Sequence, residues 1–151
     1  MYEASGLFVH HLEGESEDRR LVENATATTW LNLVSPNGKW IAYSANETGQ
    51  EEIYVTAFPN PSRRWPVSRG GGVRPRWSAD GTELYYVGAD GRLFVVTEET
   101  FHPGETFPLF DLQGASHYDV APDRQRFLVN VPLPEPPELN VVMDWKTALP
   151  Q

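Results

Sequence analysis

The chain contains no cysteine, so disulfides and thiolate chemistry are excluded while the redox compartment stays open. It is short of positive charge: 12 Lys and Arg stand against 21 Asp and Glu, a formal net charge of −9. That balance argues against nucleic-acid or anionic-membrane binding, both of which need excess cations. No apolar run approaches the roughly 18 residues of a membrane span. No signal-peptide pattern opens the chain, and no membrane insertion by this segment is expected. An amphipathic helix is missing too; Asp144 to Leu149 would form a single turn at most.

Catalytic signatures are equally sparse. There is no Gly-x-Ser-x-Gly elbow, no Ser/His/Asp constellation, no phosphate-covering glycine loop with its partner lysine and no His-Arg-Asp loop. Gly70, Gly71 and Gly72 precede an expected strand rather than a helix, so they do not read as a phosphate loop. His10, His11, His102 and His117 are scattered, and the adjacent pair would point to opposite faces of a strand, a poor geometry for chelation. Glu51-Glu52 and Glu98-Glu99 fall at loops and strand ends and are expected to be solvated. Arg63-Arg64 reads as a surface cluster, and the proline-rich stretch from Pro132 to Pro137 as a stiff spacer. No catalytic residue, metal site or cofactor is predicted, and the chain is not read as an enzyme.

What is present is a repeat. Ser35-Pro-Asn-Gly-Lys-Trp-Ile-Ala-Tyr43 returns as Ser78-Ala-Asp-Gly-Thr-Glu-Leu-Tyr-Tyr86, and again as Ala121-Pro-Asp-Arg-Gln-Arg-Phe-Leu-Val129. The starts are 43 residues apart both times. Turn chemistry followed by an apolar run, at a period of roughly 40–45 residues, is the pattern of propeller blades. Pro36 presets φ for a type I turn, and Gly38 and Gly81 supply the positive φ that follows. Arg124 replaces that glycine in the third copy, at a strain of about 1 kcal/mol if the backbone keeps its shape. Trp40 to Tyr43, Leu84 to Val87 and Phe127 to Val129 are almost continuously apolar, as expected of strands covered on both faces.

The predicted fold is all-β: a β-propeller arc of about three and a half four-stranded blades. A single domain spans 1–151, with blade pieces at about 1–23, 24–69, 70–112 and 113–147. Predicted strands are Leu7 to Leu12, Arg19 to Val22, Thr28 to Val34, Trp40 to Ser44, Ile53 to Phe58 and Trp65 to Ser68. They continue with Val73 to Trp77, Glu83 to Val87, Arg92 to Thr97, Phe107 to Phe110, Tyr118 to Val120, Arg126 to Val131 and Leu139 to Trp145. Such an arc would leave apolar blade faces uncovered. It reads either as a piece of a longer propeller or as half of a ring closed by a second copy, and a dimer is the expected partner state.

The stretch from Trp65 to Tyr86, the stretch from Tyr118 to Asn130 and the ending Leu139-Asn-Val-Val-Met-Asp-Trp145 carry a closer likeness. Together with the Ser35 repeat, they resemble TolB-like, WD-type bacterial propellers. The nearest likeness is to the C-terminal part of the propeller that follows the kinase domain in bacterial serine/threonine protein kinases. The resemblance implies a noncatalytic sensing or protein-binding module of a signalling protein, extracytoplasmic if attached to a membrane kinase and otherwise cytoplasmic. Alternatives are the accessory propeller of a prolyl-oligopeptidase-type hydrolase and a carbohydrate-active propeller.

The ligand-binding candidates are Arg74, Arg76, His117 and Asp119. Aligning the repeats sets Leu31, Arg74 and His117 at equivalent positions, with Leu33, Arg76 and Asp119 two further on. These polar residues would meet near a channel mouth and receive an acidic peptide or a sugar, or else form an internal Arg–Asp lattice between blades. Loops at Arg69 to Gly72 and Gly88 to Asp90 are expected on the same face.

Overall fold

The computed structural model describes residues 7–10, 19–22, 33–47, 49–61, 63–100, 106–112 and 114–132. Apart from the one-turn 3-10 helix Glu98–Thr100, the regular elements among them are strands. The first sheet pairs β1 (Leu7–Val9) with β2 (Arg19–Val22). The second runs β3 (Leu33–Val34), β4 (Trp40–Ala45), β5 (Glu52–Ala57) and β6 (Arg64–Pro66), each antiparallel to the next. The third repeats that plan with β7 (Gly72–Trp77), β8 (Glu83–Gly88), β9 (Arg92–Thr97) and β10 (Phe107–Asp111). The fourth pairs β11 (His117–Val120) with β12 (Phe127–Asn130). The expected strand segments at 28–32 and 139–145 lie outside the described residues.

The turns between first and second strands form as their chemistry dictates. Gly38 N–H donates to the Ser35 carbonyl at 2.8 Å, and Gly81 N–H to Ser78 at 2.9 Å. Asn37 Oδ1 accepts from the Ser35 hydroxyl and Lys39 N–H; Asp80 does the same for Ser78 and Thr82. Gly38 and Gly81 sit at φ +70° and +72°. Arg124 keeps the same shape at φ +59°, with its N–H on the Ala121 carbonyl at 2.9 Å.

Strand alternation explains the packing. In β4, Ile41, Tyr43 and Ala45 face Leu21, Val9 and Tyr54, while Ala42 faces the opposite way, toward the third sheet. In β8, Leu84 and Tyr86 join Ala42, Ile53, Val55 and Val67, whereas Tyr85 and Val87 face Tyr118, Phe127 and Val129 of the fourth sheet. Each central strand therefore loses water on both sides, which is why its sequence is not alternately polar. The sheets stack in chain order, and β7 touches both β3 and β11, so the first strands lie side by side. Burying Leu84 alone is worth about 2 kcal/mol.

Polar groups also cross between sheets. Trp77 Nε1 donates to the Leu33 carbonyl at 3.0 Å. Glu98 accepts from Trp40 Nε1 at 3.0 Å and from Lys39 Nζ at 3.3 Å. Glu98 is thus an inter-sheet anchor rather than the solvated carboxylate expected from its place at a strand end. Its position just after β9 swings it back across the second sheet's turn.

Candidate functional site

The candidate residues gather around an irregularity in β7. Register runs from Val73 opposite Val87 straight to Arg76 opposite Tyr85, so Arg74 and Pro75 share the ladder place facing Tyr86. Two residues against one is a β-bulge. Arg74 pays for it with φ +57°, the left-handed region that side chains with a Cβ rarely adopt. The bulge also changes an equivalence read from the repeats. His117 pairs with Asn130 and so takes the ladder place of Val73, not that of Arg74. Asp119 keeps its match to Arg76, because Asp119 faces Leu128 as Arg76 faces Tyr85, one repeat apart.

Tyr118 stabilises this strained segment. Its ring is buried, and its hydroxyl donates to the Arg74 carbonyl at 2.8 Å. Arg74 Nη1 in turn donates to the Ala115 carbonyl at 3.0 Å. The third and fourth sheets are joined here by a reciprocal pair of bonds. Burial drives the Tyr118 hydroxyl well above the ordinary tyrosine range, and the nearby Arg76 and Arg74 only partly oppose it. Tyr118 is therefore a neutral donor at physiological pH. Arg76 Nη1 donates to the Pro75 carbonyl at 3.0 Å, and Asp119 Oδ1 accepts from Val120 N–H at 2.9 Å. His117 and Asp119 are exposed. The two arginines and Asp119 thus surround Tyr118 while bonding main-chain groups rather than one another. Tyr118 itself escaped the sequence reading; the available signal was an aromatic residue between two polar ones in a first strand.

A second construction lies at the glycine triplet. Glu52 is 8% exposed. Its Oε1 accepts from Gly70 N–H at 2.9 Å and Gly71 N–H at 3.0 Å, and its Oε2 from the Ser68 hydroxyl. Ser68 Oγ accepts from Ile53 N–H at 2.7 Å. Expected to be solvated, Glu52 is instead folded beneath the loop. Gly70 and Gly71, at φ +77° and +108°, turn successive amides toward one point, an anion-binding nest that this chain's own carboxylate fills.

That loop forms one wall of a cleft of about 580 Å³ between the second and third sheets. Val67, Arg69, Gly70 and Gly71 face Tyr86, Gly88, Ala89, Asp90, Phe94 and Thr106 across it. The loops at 69–72 and 88–90 therefore line one cleft. Among the described residues, no group of three or more His, Asp or Glu side chains is placed to hold a metal ion. His11 and His102 lie outside those residues.

Compared with known proteins, the sequence matches no family model and no curated protein.

Proposed function

We propose that the chain is an arc of a β-propeller and serves as a noncatalytic binding and scaffold module. The observation that carries this reading is a sheet-to-sheet contact that recurs with the sequence period. Asn37 Nδ2 of the second sheet's turn donates to the Gly81 carbonyl of the third at 3.0 Å. One repeat on, Asp80 and Arg124 occupy the same two places and form an ion pair at 3.3 Å. A contact that repeats by rotation, with first strands innermost, is what radial stacking of blades requires. The likeness to kinase-linked bacterial propellers supports a role as the sensor or protein-interaction part of a signalling protein.

The partner suited to the Arg74 end is an acidic peptide. Arg74 and Arg76 are fixed there by the bulge, so binding costs little side-chain ordering. Titration with a hexaglutamate peptide tests this. Arg74→Gly removes the cation and its bond to the Ala115 carbonyl, while relieving the left-handed strain and leaving the Tyr118 bond to the main chain in place. Arg74→Gly and Arg76→Ala should each weaken binding about tenfold, the scale of a lost charged hydrogen bond. Unchanged affinity in both would refute the assignment. Self-association through apolar side chains left exposed on β10 and β12 belongs to the same reading.

A further inference from the structure

We infer that the cleft between the second and third sheets binds a neutral saccharide ring. The site goes beyond the acidic-peptide reading, because it needs only the packing of these two sheets and not the Arg74 bulge. Its size, about 580 Å³, suits a ligand of one or two rings.

The floor is aromatic. Tyr86 is buried, and Phe94 stacks on it with centroids 5.4 Å apart and planes 13° from parallel. Phe94 is only partly buried, so the stack has apolar surface left at the cleft. The ring carbons of a sugar present a matching flat apolar face.

The rim carries both signs of charge. Arg69 and Asp90 are exposed on it, and Arg92 Nε lies 3.8 Å from Asp90 Oδ2. Burial raises the Tyr86 hydroxyl above its ordinary range, a hydrogen bond with Thr106 opposes this, and the Glu52 and Asp90 carboxylates add to the rise. An anionic ligand would meet those carboxylates, and a cationic one would meet Arg69. The Gly70 and Gly71 amides, which could otherwise hold a phosphate, are filled by Glu52. What remains is a guanidinium donor and a carboxylate acceptor, the Thr106 hydroxyl being engaged by Tyr86, and this pair suits hydroxyl groups, which donate and accept at once. The Glu52 bonds also hold the loop in place beforehand, so little ordering is required on binding.

Titration calorimetry and amide chemical shifts with glucose, galactose, N-acetylglucosamine and maltose test the proposal, with glucuronate and glucosamine as charged comparators. At least one neutral sugar should bind saturably and move the Gly70, Gly71, Ala89 and Asp90 amides. Arg69→Ala and Asp90→Asn, both at the exposed rim, should each weaken it about fivefold, the scale of one hydrogen bond, without changing the melting curve. Three results would overturn it: no saturable binding of any of the four, tighter binding of a charged comparator, or unaltered affinity in both variants. Failure here leaves the hexaglutamate result at Arg74 unaffected, so the two readings fall separately.

Discussion

Arg124 holds a backbone shape that the two earlier repeats give to glycine, and it does so beside two carboxylates. Its guanidinium lies 3.3 Å from Asp80 and 3.6 Å from Glu83. Left-handed strain costs about 1 kcal/mol, and an exposed ion pair returns between 0 and about 1 kcal/mol. Arg124→Gly should therefore be near neutral at low salt. It should become stabilising by about 1 kcal/mol near 1 M salt, where the pair is screened, as urea unfolding will report. Asp80 adds a pH dependence. Hydrogen bonds from Ser78 and Thr82, and then the Arg124 charge, lower its carboxyl to about 2. A depressed folded value means the contribution is complete above the unfolded value near 4 and fades as pH falls toward 2. For so exposed a group the loss is discounted to about 1 kcal/mol or less. Asp80→Asn should flatten stability between pH 4 and 2 while preserving the turn, since Asn37 already does that work in the second sheet. Acid titration followed by circular dichroism checks it.

At the scale of elements, the loop from Ser68 to Gly72 takes its shape from the distant Glu52 side chain. Removing Glu52 leaves the Gly70 and Gly71 amides without their acceptor. Glu52→Ala should cost about 1–3 kcal/mol, because the buried Ser68 hydroxyl loses its acceptor as well. It should also speed hydrogen exchange at those two amides, whereas exchange in β8 should change only with global stability. Gly72 is needed for space, not for its φ: an added Cβ would lie 2.5 Å from both Cβ and Oγ of Ser68. Gly72→Ala should lower the melting temperature, by about 1–3 kcal/mol of overpacking. Strand bounds at this scale were largely legible. Arg92 to Thr97 and Arg19 to Val22 both form as expected; in the first, β-branched and aromatic residues between turn signals leave little choice. The outer strand expected at Trp65 to Ser68 is Arg64–Pro66, since Ser68 leaves the ladder to bond Glu52. No local pattern announces a partner 16 residues away.

At the scale of the whole molecule, the exposed apolar residues set a solution property. Leu128 is 76% exposed, Phe107 56% and Val131 55%. In the scaffold reading, these surfaces meet a second copy, and light scattering at micromolar concentration should return twice the chain mass. Leu128→Glu should shift that toward the single chain, while a monodisperse monomer in the parent would remove the dimer. Pairing of additional strands to the β10 edge is disfavoured, because Pro108 lacks a donor and the register breaks between Pro108 and Phe110. The sequence by itself determined the all-β class, the repeat and its turns, and the near-continuous apolar second strands. Those follow from φ preferences and burial, which act over a few residues. Only the tertiary structure decided that β7 bulges at Arg74, that Tyr118 caps the bulge and that Glu52 enters the glycine nest. Each of these depends on a hydrogen-bonding group brought from 16 to 44 residues away, and the geometry that selects it exists only once the sheets are stacked.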